Sequence, residues 1–323
     1  MSRPASDEEK LSVLQKFAGF IFDLDGTVWY GNNLIPGAAE VLELLRQQGK
    51  KIWFVTNNSS KTRATYVKKL TQLGVTAHLD EVLGSSFAAA LYCSSIKVKK
   101  VYVIGEQGLV DELHAMGITT LGGPSDSGKN WEWGIAAQGV AGANSETKPS
   151  STTEGPPKLA LDPEVKAVVV GLDRSINYYK LQMAMSYILK NDAHFIATNT
   201  DARGNLANEE EWAGAGTMVR AVQGCSEKTP VVVGKPNRLM SDIIAKSAGI
   251  PTSSLCMVGD RLDTDILWAE KCGMGSLLVL TGCTSEAQLQ SPENTVKPSL
   301  YVTSIADLLS VKDKLSWSSC TIC

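Results

Sequence analysis

Four short apolar runs, rich in β-formers, each end on a polar group, and this repeated pattern restricts the fold more than any other feature of the chain. "AGFIF" leads into Asp23, Leu24, Asp25, Gly26 and Thr27. "KIWFV" leads into Thr56, Asn57 and Asn58, and "PVVVG" into Lys235 and Pro236. "LCMVG" leads into Asp260, with Asp263 and Asp265 close behind. Amphipathic stretches separate the runs. In "PGAAEVLELLRQQG", Pro36 stands near the start, Gly49 at the end, and Ala38, Val41, Leu44 and Leu45 share one face. The spacing predicts further helices over 60–73, 106–116, "NYYKLQMAMSYILKN", from 236, from 262 and near 304–313. "KVYVI", "KAVVVG", "HFIAT", "LLVLT" and "LYVT" add strands. Strand and helix in alternation predict an α/β protein with mostly parallel sheets. In such a sheet, ligands sit beyond the carboxyl ends of the strands. Taken singly, Asp-x-Asp reads as a turn and strand-Thr-Asn as a helix cap. Taken in order, the four groups read as one site drawn from distant parts of the chain.

The chemistry of that set is coherent. Asp23 and Asp25, two apart on extended backbone, are expected to point the same way, and Asp260 adds a third carboxylate. Three acids together need a strong counter-charge to stay ionised. Oxygen donors without His or Cys favour a hard cation, and Mg²⁺ suits them because it keeps several waters and leaves room for phosphate oxygens. Lys235 would add positive charge, Thr56 and the backbone N–H groups at 56–58 would donate hydrogen bonds, and Gly26 lets the chain turn closely around a phosphate. The set reads as an electrostatic cradle for a phosphoryl group.

The 323 residues are 43% hydrophobic and 20% charged, which suits a large core in two domains. A formal net charge of −3 argues against a general electrostatic grip on nucleic acid. No apolar run approaches the roughly 20 residues of a membrane helix. The mixed, acidic start "MSRPASDEEKLSVLQKF" lacks the pattern of a leader, so a cytoplasmic location is expected. The seven cysteines are scattered and odd in number, and read as thiols. The final "CTIC", Cys320 to Cys323, reads as an ordinary tail rather than a prenylation signal.

Residues 122–163, containing "SETKPSSTTEGPPK", break the rhythm and are expected to form a long surface loop without a catalytic role. Trp131 and Trp133 are odd for a linker and are expected to pin part of it. An internal echo also stands out. "FDLDGTVWY…KIWFVTNNS" resembles "VGLDRSINY…HFIATNTD", with Gly171 where the first copy has Asp23. A helper domain inserted into a catalytic one would look like this.

"DLDGTVW", "FVTNNSSKT", "VGKPN" and "MVGDRLDTDI" resemble the four motifs of the haloacid-dehalogenase-like hydrolases. "GLD…YYKL…TNTD" and "GAGTMVRAV" resemble the subgroup of p-nitrophenyl, phosphoglycolate and pyridoxal phosphatases. The resemblance implies a Rossmann-like, doubly wound core over 1–86 and 232–323, with an α/β cap inserted at 87–231. It implies that Asp23 is a nucleophile forming an aspartyl-phosphate and that Asp25 is the general acid and base. Mg²⁺ would then lie on the Asp23 and Asp260 carboxylates and the Asp25 carbonyl, with Thr56, Asn57, Asn58 and Lys235 around the phosphoryl oxygens. Asp265 is expected to orient metal waters or Lys235, and Asp263 to cap the helix that follows. In "TNTDARGN", Asn199, Asp201 and Arg203 are candidates to read the leaving group, Arg203 suiting a carboxylate. A cap over the site points to a small phosphorylated metabolite, and the subgroup resemblance to a homodimer through the cap. A phosphotransferase or mutase on the same intermediate, and a non-catalytic phosphate sensor, remain alternatives.

Overall fold

The computed structural model describes residues 3–131, 158–205 and 210–315. Two parallel sheets organise them. The first has six strands in the order Leu300–Val302, Gly275–Val279, Leu255–Gly259, Gly19–Phe22, Lys51–Thr56 and Val82–Gly84. The second has five, in the order Val231–Val232, His194–Ala197, Ala167–Val170, Lys100–Ile104 and Thr119–Gly122. All pairings within both sheets are parallel. Their strands are short and almost wholly apolar because both faces are covered, as parallel sheets require. In the first sheet, Phe20, Phe22 and Phe54 pack on one face, while Ile21, Trp53 and Val55 pack on the other. The second of these cores also takes in Ala88 and Ala89 of the helix Ser85–Ser95 and Val101, Val103 and Val169 of the second sheet. The two sheets therefore share buried apolar surface on one side. The other face of the second sheet is closed by Met183, Ala184 and Tyr187 of Tyr178–Lys190 and by Met218 and Val222 of Ala215–Ser226.

The expected α/β, doubly wound architecture is what the strands form. The strand Gly19–Phe22 stands between Leu255–Gly259, which arrives from far along the chain, and its own successor Lys51–Thr56. Strand order reverses there, which opens a crevice at the carboxyl ends. The expected domain limits at 86/87 and 231/232 fall inside the helix Ser85–Ser95 and the strand Val231–Val232, and that strand belongs to the second sheet.

Several elements carry weak sequence signals and were not expected. The helix Asp7–Lys16 is started by Ser6 and Glu9, which cap each other's backbone N–H groups. A two-stranded hairpin, Trp29–Tyr30 with Asn33–Leu34, follows Asp25, and another pairs Arg203–Asn205 with Glu211–Ala213. The expected helix from 262 opens as a wide π-type turn over Leu262–Ile266 before Leu267–Cys272 becomes regular. The last helix is a 3₁₀ coil, Ile305–Lys314. The 122–163 stretch departs from a free surface loop where it is described. Asp126 is buried and accepts from the Tyr102 hydroxyl at 2.8 Å. Trp131 stacks on Tyr179 with centroids 4.8 Å apart, as expected of a pin. Leu159 and Leu161 pack onto the same core. Trp133 and the "CTIC" tail lie outside the described residues.

Candidate active site

The crevice gathers the polar groups that end the strands. Asp23 follows Gly19–Phe22 and its N–H still donates to Val258 O at 2.9 Å, so the strand pairing itself fixes the residue. Asp260 follows the neighbouring strand and is 1% exposed. Asp265 is fully buried on the π-type turn, which swings it back toward the strand ends. One carboxylate oxygen from each of these three lies within 4.8 Å of the others. Lys235 is drawn into the group. Its Nζ donates to Asp23 Oδ1 at 2.5 Å, Asp265 Oδ1 at 2.7 Å and the Val55 carbonyl at 3.1 Å.

Here the expected geometry needs correcting. The extended strand ends at Phe22, and Asp25 sits in a tight turn whose Gly26 N–H donates to Trp29 O at 2.7 Å. Asp25 lines the same cavity as Asp23, but its carboxylate is not one of the three that cluster; its Oδ1 accepts from the Trp29 indole N–H at 2.7 Å. A turn, and not strand alternation, brings the two residues to one cavity. Asp263 does not cap a helix either. Its carboxylate accepts from Arg261 Nε and Nη2 at 3.1 and 2.9 Å.

Charge and burial set the protonation of the cluster. Burial pushes the Asp23 carboxyl well above its ordinary value, against the pull of the Lys235 ammonium. Burial, reinforced by the Asp265 charge, pushes Asp260 up to about 7. Burial works against the charge on Lys235, but Asp23 and Asp265 outweigh it and hold the ammonium above its usual range. The carboxylates outnumber the one cation among them. Asp260 Oδ2 accepts from the Cys283 N–H at 2.6 Å, while its buried Oδ1 has no hydrogen-bond partner. A buried carboxylate oxygen without a partner, beside two more acids, suits a hard divalent cation bound through oxygen. The surroundings are close-fitting. A Cβ on Gly26, whose φ is +84°, would stand 2.6 Å from Asp260 Oδ2, and one on Gly282 would collide with the same oxygen.

The residues expected on the phosphoryl group and the leaving group take different positions. Thr56 is buried at its strand end and its Oγ1 accepts from the Asn58 N–H at 3.1 Å. Asn58 Oδ1 accepts from Ser60 N–H and Oγ at 3.0 and 2.7 Å, an Asx turn that shapes the loop. The Asn57 amide is fully engaged. Its Nδ2 donates to the Lys235 carbonyl at 3.0 Å and to the Asp201 carboxylate at 3.1 and 3.3 Å, and its Oδ1 accepts from the Lys235 N–H at 2.9 Å. Asn199 Nδ2 donates to the Asn57 carbonyl at 2.7 Å and its Oδ1 accepts from Asp201 N–H at 3.1 Å. Asn57 and Asn199 thus tie the second sheet to the first. Asp201 and Arg203 line the cavity, and burial raises the Asp201 carboxyl above its ordinary value. Arg203 is largely exposed and pairs with Glu211 at 2.5 Å.

Arg261, Tyr30 and Trp212 are among the cavity residues that the sequence did not single out. Arg261 lines the cavity and its Nη1 donates to the Arg203 carbonyl at 3.2 Å. Tyr30 and Trp212 line the cavity from the two hairpins. Arg261 was legible as the residue after Asp260; the aromatics were not, because only the hairpins bring them over the site.

Residues 20–119 match the family model described as haloacid dehalogenase-like hydrolase, and residues 232–308 match a HAD-hydrolase-like model. The chain belongs to the haloacid dehalogenase-like hydrolases. It is 47% identical over 297 residues to phosphoglycolate phosphatase 1A, chloroplastic, of Arabidopsis thaliana, spanning 91% of this chain and 76% of that one. It is 36% identical over 320 residues to glycerol-3-phosphate phosphatase of Homo sapiens, covering 94% of each. A crystal structure of glycerol phosphate phosphatase from Mycobacterium tuberculosis in complex with magnesium superposes with a TM-score of 0.71 at 25% identity, covering 95% of this chain and 78% of that one. Among the described residues no helix is long and apolar enough to cross a membrane.

Proposed function

We propose that this phosphoric monoester hydrolase is a Mg²⁺-dependent phosphatase of small phosphorylated metabolites, working through an aspartyl-phosphate on Asp23. The observation that carries the reading is the buried Asp23–Asp260–Asp265 cluster, with Lys235 on one oxygen of Asp23 and an orphaned oxygen on Asp260. Asp23 Oδ2 and Asp260 Oδ1 would hold the cation, with the Asp25 carbonyl. Asp265 already spends both oxygens, one on Lys235 Nζ and one on the Arg261 N–H at 3.1 Å, so it orients rather than ligates. When bound, the cation neutralises the carboxylates and the phosphoryl charge.

In the first step Asp23 attacks phosphorus while the bond to the leaving oxygen breaks. Asp25 gives that oxygen a proton, so the departing group leaves as a neutral alcohol. In the second step water attacks the aspartyl-phosphate, its proton passes to Asp25, and Asp23 is released. Lys235 stays on the oxygen face of the phosphoryl group throughout. The 87–231 unit would act as the cap, with the paired strands Arg203–Asn205 and Glu211–Ala213 beside the leaving group. Arg203, with Arg261 nearby, suits a leaving group bearing a carboxylate such as that of 2-phosphoglycolate. Two relatives named for phosphoglycolate and glycerol 3-phosphate support an alkyl ester. The proposal extends to a homodimer through the 87–231 unit and a cytoplasmic location, tested by light scattering and cell fractionation.

The test is phosphate release from 2-phosphoglycolate, glycerol 3-phosphate and p-nitrophenyl phosphate, with Mg²⁺ and with EDTA. Release that needs Mg²⁺ and is abolished by Asp23→Asn in a folded variant supports the reading. Turnover in EDTA, or in Asp23→Asn, overturns it.

A further inference from the structure

We infer that Trp29 is a positioning residue for proton transfer: its indole N–H fixes one oxygen of Asp25 so that the other carries the proton to the leaving group. The inference rests on the proposed acid role of Asp25. Trp29 comes back to Asp25 because the chain turns sharply between them. The N–H groups of Val28 and Trp29 donate to Leu24 O at 2.9 and 3.1 Å, and Asp25 and Trp29 form an isolated β-bridge. This places Trp29 Nε1 2.7 Å from Asp25 Oδ1. The ring has little freedom to move away. It is 1% exposed, it stacks on Tyr66 at 6.4 Å with 12° between planes, and Lys69 Nζ lies 4.0 Å from a ring centroid. Lys69 is itself held by the Gly31 carbonyl at 2.7 Å.

An indole N–H can only donate. Oδ1 is therefore held as an acceptor in both protonation states. A proton on Oδ1 would have to share that oxygen with a donor already aimed at it, so the proton resides on Oδ2. A carboxyl that rotated freely would present its proton in the productive direction only part of the time. With Trp29 in place, Oδ2 transfers its proton to the leaving oxygen as the P–O bond breaks, and the bond electrons stay on that oxygen. Asp25 is left as a carboxylate, which the indole stabilises. The same oxygen then takes the proton from water.

The contribution scales with how much the leaving group needs a proton. An alkyl oxygen needs it and a p-nitrophenyl oxygen hardly does. Trp29→Phe deletes the donor and keeps a ring against Tyr66. The sulfur isostere of tryptophan, with benzothiophene in place of indole, keeps the shape as well and guards against a folding failure. For either variant, kcat/KM on glycerol 3-phosphate, which reports the step that expels the leaving group, should fall roughly tenfold, the loss of one charge-assisted hydrogen bond. On p-nitrophenyl phosphate kcat/KM should fall less than about threefold, because that leaving group hardly needs the proton. Asp25→Asn is measured alongside. If it is selective against the alkyl ester while both Trp29 variants lose equally on both esters, or lose nothing, the Trp29 inference is wrong and the acid role stands. If Asp25→Asn itself shows no selectivity, the acid role falls and the inference with it.

Discussion

Replacing Asn57 by alanine separates two roles that the residue type alone does not distinguish. A phosphate-binding asparagine would show its loss as a raised KM in a protein of unchanged stability. The structure gives Asn57 other work. Its amide closes both backbone groups of Lys235, at 3.0 and 2.9 Å, and Lys235 is 2% exposed. In Asn57→Ala a buried N–H and a buried carbonyl lose their partner, at about 1–3 kcal/mol each, or about 2–6 kcal/mol together. The lost bond to Asp201 adds less, because that carboxylate lines the cavity and water can replace the amide. Against a total stability of about 5–15 kcal/mol this is a large loss. The variant should unfold at clearly lower urea. Because Lys235 also loses its register against Asp23, kcat should fall with KM nearly unchanged. Asn57→Asp should not rescue, since it restores the acceptor for the Lys235 N–H, drops the donor and faces Asp201 with a second carboxylate. Urea melts with paired kcat and KM values decide the matter. An unchanged midpoint with a raised KM would refute the positioning argument.

Other substitutions probe the same architecture. Gly26→Ala forces a left-handed φ of +84° on a residue with a Cβ and drives that Cβ to 2.6 Å from Asp260 Oδ2. It should cost about 1–2 kcal/mol in backbone strain alone and weaken Mg²⁺-induced thermal stabilisation, read by melting with and without the ion. Asp260→Asn should abolish that stabilisation while the fold survives, because its Oδ1 gives up no protein partner; a full Mg²⁺ shift in this variant would exclude Asp260 as a ligand. The buried carboxyl of Asp201 binds its proton more tightly in the folded than in the unfolded protein. Its share of stability is therefore present below the ordinary aspartate value and is lost as pH rises through the raised folded value. Asp201→Asn should gain on wild type across that window, and parallel pH profiles of the urea midpoint would contradict this. Trp131→Ala should destabilise by about 1–3 kcal/mol through its lost stack on Tyr179, without changing kcat.

The sequence by itself determined the α/β alternation, the strands that carry Asp23, Thr56, Lys235 and Asp260, and the chemical class of the site. It could do so because short apolar runs with polar ends are a local signal, and one open parallel sheet makes neighbours of the strand ends that carry Asp23, Thr56 and Asp260; Lys235 departs from this, since it follows Val231–Val232, an edge strand of the second sheet. Asp25 shows where local reasoning stops. Its spacing from Asp23 reads as one face of a strand, yet the strand ends at Phe22, and a turn hands its carboxylate to Trp29. Asn57 and Asn199 were legible as polar candidates for the phosphoryl and leaving groups, but only the docking of the second sheet uses their amides to hold Lys235, Asp201 and the Asn57 carbonyl. Asp263 reads as a cap until Arg261 takes both of its oxygens, and Arg261 in turn reaches the Arg203 carbonyl on the other unit. Hydrogen-bond capacity belongs to the residue and is written in the sequence. The partner that fills it is set by which distant backbone arrives within 3 Å, and only the folded chain decides that.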